Sequence, residues 1–160
     1  MPARIRVQAE DFDPDAEVTL MTSGRRDIGA VVTFIGYCRD EGGRLAALEL
    51  EHYPGMAEEE IGRVAAQAMS RWPLDAVTVV HRHGKIAPGG RIVFVATASS
   101  HRAAAFAGAE FLMDYLKTQA PFWKKEHPLN GPATDWVKAR DADDSALERW
   151  GDKDKLGGLP

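Results

Sequence analysis

Only one cysteine, Cys38, stands in the 160 residues. An intrachain disulfide and a multi-cysteine zinc site are thereby excluded, and the usage fits a reducing compartment. No apolar run nears the ~20 residues that a bilayer span requires. The opening MPARIRVQAEDFDPD lacks the apolar centre of a secretory signal, so the expected location is cytoplasmic. Positive charge is not in excess: 20 Lys and Arg stand against 24 Asp and Glu, a net charge of −4. That balance argues against general nucleic-acid binding but leaves room for one local basic pocket. Neither an internal repeat nor an interdomain linker is visible. Residues 1–150 are expected to form a single domain, and 151–160, polar and glycine-rich, a flexible tail.

Periodicity supplies the elements. Ile5 and Val7 alternate with polar neighbours as in a half-buried strand. Asp13-Pro14 reads as a helix start, with the helix ending near Gly24. The β-branched and aromatic run GAVVTFIG (29–36) predicts a mostly buried strand, and LAALELEH (45–52) a second after a loop. Pro54-Gly55 opens the clearest helix, whose stripe of Ile61, Val64, Ala65, Ala68, Met69 and Trp72 has one-face spacing. AVTVVHR (76–82) and RIVFVATA (91–98) predict two more strands, with GKIAPGG read as a turn between them. Ser100 is the expected N-cap of a second long helix, from about His101 to Lys117. Apolar residues wrap more than one of its faces, which suggests burial in a core or an interface. FWKKEHPLNGPATDWVKARD predicts two short strands around a loop, and 144–150 a last short helix. The fold class expected is α+β: two long helices packed on a largely antiparallel sheet, with a small C-terminal β extension.

The unusual segment is MDYLKTQAPFWKKE, residues 113–126. It sets Lys117 at a helix end and Lys124 beyond a proline, with Tyr115, Phe122 and Trp123 among them. Lysines near apolar walls and other cations suit nucleophilic or acid/base work; lysines at helix C-termini are also common surface residues. His101-Arg102, after Ser99-Ser100, fits either an anion site at a helix N-terminus or a plain capping motif. Arg39, just past a strand end, is a ligand contact or an ordinary exposed arginine. Cys38 is a nucleophile, a sulfur carrier or, the favoured reading, a small structural side chain. His81 and His83 alone make a weak metal signal, and no metal is expected.

As an ordered set, GAVVTFIGYCRD, LELEHYPGM, HRHGKIAPGG, SSHRAAAFAGAEFLMDYLKTQAPFWKKE and WVKARD resemble the molybdopterin synthase large (catalytic) subunit family. The resemblance runs from about Gly29 to Trp150. It implies an α/β hammerhead fold and a sulfurtransferase that installs the dithiolene of molybdopterin in cyclic pyranopterin monophosphate. The sulfur donor implied is the C-terminal Gly-Gly thiocarboxylate of a small ubiquitin-like partner. A central homodimer with one small subunit at each end is implied too, with no metal or organic cofactor. Carried over by motif, Lys117 and Lys124 are the catalytic lysines. Arg39, His101, Arg102, Lys125 and Glu126 hold substrate, with Tyr37 and Cys38 beside Arg39. Phe34, Met113 and Arg140 line the pocket. Tyr37 stands where relatives often carry lysine, and His83 where an aliphatic residue is usual. A catalytically silent binding relative and an RNA-binding α+β protein are the competing readings. The intact lysines and Arg39 disfavour the first, and the acidic balance the second. His101 and Lys117 lie sixteen residues apart on one expected helix, about 24 Å. One small substrate touching both implies a site shared across a two-fold dimer.

Overall fold

A computed structural model describes residues 3–119, 122–136 and 150. In chain order the elements are β1 (Ala3–Gln8), α1 (Pro14–Thr22), β2 (Ala30–Tyr37), β3 (Leu45–His52), α2 (Met56–Arg71), β4 (Leu74–Arg82), β5 (Gly84–Ile86), β6 (Arg91–Ser99), α3 (Arg102–Thr118) and β7 (Phe122–Pro128). They make two sheets rather than the single one expected. The larger has the order β1-β4-β6-β2, the smaller β5-β3-β7. Only the β1–β4 pairing is parallel; the others are antiparallel.

The central strands β4 and β6 are buried on both faces, and the two-residue period of a strand divides their side chains between two cores. Val77, Val79, Val93 and Val95 face α2 and α3, meeting Ile61, Val64, Phe111, Leu112 and Leu116. Val80, Phe94, Ala96 and Ala98 face the other way, onto Phe12 and Met21 beside α1. The stripe expected on α2 is the observed one: Ile61, Val64, Ala65 and Ala68 are buried. Glu58 secures its start by accepting a hydrogen bond from the Gly55 N–H at 2.7 Å. Asp13 caps α1 through its side chain, with Pro14 following, as the sequence suggested.

Where α3 crosses the sheet it comes very close. A Cβ placed on Gly108 would lie 2.8 Å from Leu74 Cδ1, and the buried Thr97 hydroxyl donates to Ala105 O at 2.6 Å. These contacts hold α3 along β6 and so fix where its last turn points.

Several expectations are corrected. The residue at the N-cap of α3 is His101, not Ser100, and no side chain caps it. β2 is an edge strand, half-exposed rather than mostly buried, with Phe34 39% exposed. GKIAPGG is not all turn: Gly84–Ile86 pairs with β3 as a short strand. Of the two C-terminal strands, the first is β7, and the second falls mostly outside the described residues, as do the last helix (Trp150 apart), the tail and Arg140. Trp150 itself packs edge-on to Trp72, with ring centroids 5.6 Å apart.

Candidate active site

The smaller sheet stands beside one end of the larger, and the register of β3 with β7 decides which side chains look inward. His52 lies opposite Phe122 and Leu50 opposite Lys124. Alternation therefore puts Phe122, Lys124 and Glu126 on one face of β7, with Trp123, Lys125 and His127 on the other. Leu50 shows which face is inner, since it is buried with Cys38 and Ile86. Lys124 consequently shares the inner face, while Lys125 stands on the outer one, its ammonium 4.3 Å from the ring centroid of Trp136.

Four rings join the two sheets. His81, buried at the end of β4, stacks on Phe122 with centroids 3.8 Å apart and planes 14° apart. His52 and His83 lie with ring centroids 4.4 Å apart. Burial pushes the His81 imidazole down to about 4, and the positive charges of Lys117 and of its imidazole neighbours push the same way. The α3 lysine is thus within electrostatic reach of the ring that stacks on β7. His81 Nδ1 is 2.8 Å from Arg82 O. A carbonyl can only accept, so Nδ1 carries the proton and Nε2 the lone pair. Burial also lowers His52, and the charge of His83 adds to that.

Lys117 is exposed in the last turn of α3. Cys38 is 3% exposed, packed on Leu50 and Ile86. Its backbone is tied to the 84–90 turn: Cys38 N–H donates to Gly90 O at 2.8 Å, and Gly89 N–H to Cys38 O at 2.7 Å. Arg39 and Tyr37 emerge exposed on either side of it. Tyr37 pairs with Arg91, and His81 with Val93, so all of these share one end of the larger sheet.

His101 and Arg102 sit at the opposite end. β6 runs from Arg91 to Ser99 before they begin, and α3 then returns along the sheet to Lys117. Both are exposed. The chain thus brings Lys117, Lys124 and the Arg39 segment to one end and leaves His101-Arg102 about 24 Å away along α3. Phe34 and Met113 lie between, on β2 and α3. His52 was not singled out from the sequence. Its signal is the shared parity with Leu48 and Leu50, which means nothing until the β3–β7 register is known. No group of three His, Cys, Asp or Glu side chains is placed to hold a metal ion among the described residues.

Known proteins share this sequence and architecture. A family model described as MoaE protein matches residues 7–119. A molybdopterin synthase catalytic subunit of Mesorhizobium japonicum is 62% identical over 146 residues, covering 91% of this chain and 92% of the relative. One from Rhizobium meliloti is 62% identical over 149 residues, covering 93% and 96%. Among solved structures, a molybdopterin biosynthesis MoaE protein from Burkholderia ambifaria superposes with a TM-score of 0.81 at 52% identity, covering 93% of this chain and 98% of that one. Molybdopterin synthase from Staphylococcus aureus gives a TM-score of 0.74 at 28% identity, covering 82% and 94%. With the family model spanning most of the chain and relatives alike over nearly their whole lengths, this chain belongs to the MoaE family of molybdopterin synthase catalytic subunits.

Proposed function

We propose that the chain, in the cytoplasm, moves sulfur from the C-terminal Gly-Gly thiocarboxylate of a small ubiquitin-like partner onto cyclic pyranopterin monophosphate, forming the dithiolene of molybdopterin. The observation that carries this reading is the convergence of Lys117, from the end of α3, and Lys124, from the inner face of β7, around the His81–Phe122 stack. The substrate is anionic, and so are the thiocarboxylate and the oxyanions formed when it attacks and when an acyl intermediate is hydrolysed. Ammonium groups beside half-buried aromatic walls stabilise such charge more strongly than they would in open water. Arg39, at the same end, supplies a planar guanidinium suited to a phosphate. Lysines can also move protons on and off sulfur and oxygen without a protein thiol, and the buried Cys38 is read as a structural side chain rather than a sulfur carrier.

His101 and Arg102 reach this site only from a second copy of the chain. In an isologous dimer with neighbouring α3 helices antiparallel, the N-terminus of one helix lies beside the C-terminus of the other. The exposed Phe34 and Phe106 offer apolar surface for that contact. The direct test is reconstitution: the chain, the thiocarboxylated partner and the cyclic phosphate are mixed and molybdopterin is measured. Product should form with the wild type and fail to form with Lys117→Ala, whose partner binding and melting temperature stay unchanged. Product from the Lys117→Ala protein at the normal rate would remove Lys117 from the chemistry.

A further inference from the structure

Two short connections run between the sheets, and they meet at Cys38. One leads from β2 in the larger sheet to β3 in the smaller; the other leads from β5 in the smaller sheet to β6 in the larger. We infer that the 87–90 turn of the second connection is the positioning element for Arg39 of the first. It holds the Cys38 backbone so that the Arg39 guanidinium is aimed at the substrate phosphate. This rests on reading Arg39 as the phosphate contact.

Three observations carry it. First, the backbone of Cys38 is gripped on both sides. Its N–H donates to Gly90 O at 2.8 Å, and its carbonyl accepts from Gly89 N–H at 2.7 Å. The Cys38 carbonyl and the Arg39 N–H belong to one planar peptide unit. The hydrogen bond from Gly89 therefore fixes the unit from which the Arg39 side chain departs. The buried Cys38 side chain, packed with Leu50 and Ile86, anchors the same point from below. Second, a bulge lies just ahead of this grip. The β2–β6 ladder passes from Gly36↔Val93 to Tyr37↔Arg91, which leaves Ile92 as an extra residue on β6. A bulge bends its strand and re-aims the side chains next to it. Gly36 permits the close approach there, since a Cβ on it would lie 2.8 Å from Val93 Cγ1.

Third, the turn has a demanding backbone of its own. Gly89 takes φ +86°, in the left-handed region that favours glycine. Gly90 N–H closes the turn on Ala87 O at 2.9 Å. A Cβ on Gly90 would meet Ile86 Cγ2 at 2.7 Å and Ala87 O at 3.0 Å. Ile86 in turn pairs with Leu48 of β3, the strand whose Leu50 lies opposite Lys124. The grip on Cys38 thus refers Arg39 to the sheet that carries Lys124 as well as to its own. An arginine whose backbone is already ordered loses less freedom when it takes an anion.

A double-mutant cycle on the full chain with its thiocarboxylated partner tests this, reading KM for cyclic pyranopterin monophosphate. Arg39→Ala should raise KM about tenfold or more, the loss of a charge-assisted hydrogen bond. Gly89→Ala has room for its methyl group but not the backbone angle. It should raise KM about threefold or more, within the coupling found between neighbouring residues. In the Arg39→Ala background the same change should alter KM less than about twofold, because its effect passes through Arg39. A turn that only supports the fold gives the same factor in both backgrounds, and that result overturns the inference. A wild-type KM in Gly89→Ala overturns it too. Gly90→Ala disturbs the turn by contact instead of by angle; it enters the same cycle and decides the matter should Gly89→Ala fail to fold. Gly89→Asn, a residue that tolerates positive φ better, should raise KM less than Gly89→Ala does; an equal or larger rise counts against the turn. If Arg39→Ala leaves KM unchanged, Arg39 is not the phosphate contact, and the inference falls with that reading.

Discussion

A shared site makes a quantitative demand on mixed dimers. Lys117→Ala and Arg102→Ala are each expected to be inactive, because every site in either homodimer lacks one needed cation. The two residues are about 22 Å apart along α3, at fifteen steps of ~1.5 Å. A pterin carrying one phosphate is much shorter, so a single chain cannot offer both to one molecule. In a two-fold dimer each site takes Lys117 from one chain and Arg102 from the other. A dimer of one Lys117→Ala chain and one Arg102→Ala chain then has one site with both defects and one with neither. Random exchange at equal concentrations makes half the dimers mixed, and half of their sites intact. Activity should recover to about a quarter of the wild-type value per chain. The assay is molybdopterin formation before and after subunit exchange, with exchange followed by native mass spectrometry on chains of distinguishable mass. Confirmed exchange with no recovered activity refutes the shared site, and would mean that His101-Arg102 only begins a helix.

Other outcomes follow from the packing and the buried imidazole. The folded-state value of His81 lies below its unfolded value of 6.5, at about 4, so its neutral burial contributes stability above pH 6.5 that is lost as pH falls towards 4. At 1.36 kcal/mol per unit this amounts to roughly 3 kcal/mol. Urea unfolding of His81→Phe, which keeps an aromatic ring on Phe122, should show a pH dependence weaker by about that amount between pH 7 and pH 4; an unchanged dependence would disprove the assignment. Gly108→Ala drives a methyl group to 2.8 Å from Leu74 and should cost about 1–3 kcal/mol in urea unfolding; a cost near zero would show that α3 can lift off β4. Cys38→Ala should retain most of the activity and lose about 1 kcal/mol of stability. A persulfide trapped on Cys38 during turnover would reverse that conclusion.

Local signals gave much of the fold. The α2 stripe, the Asp13-Pro14 start and the β-branched runs of β4 and β6 each state their structure within a few residues, because helix and strand periods are local properties. The division into two sheets was not legible. It depends on β3 leaving the larger sheet to pair with β5 and β7, and LELEH looks the same in either sheet. The half-exposure of β2 was hidden for a related reason. VVTFI is apolar enough for a central strand, and only the strand order makes it an edge. At the site, Lys117 and Lys124 were found by motif, but the reason they belong together was not. Lys124 faces inward and Lys125 outward because of a register that no run of KKE reveals. His52 went unnoticed since a single histidine ending a strand says nothing about what will stack beside it.

The His81–Phe122 stack also fixes how the site can be tuned. Lys117 rides on α3, which is anchored to the larger sheet at Gly108 and Thr97. Lys124 rides on the smaller sheet, anchored to β3. Their separation is therefore a distance between two separately built frames, gauged by the thickness of two stacked rings. A change inside the smaller sheet, such as one at the His127–Glu49 pair that joins β7 to β3 on the outer face, is expected to shift Lys124 against Lys117. Such a substitution would register first as altered turnover and only later, if at all, as altered stability.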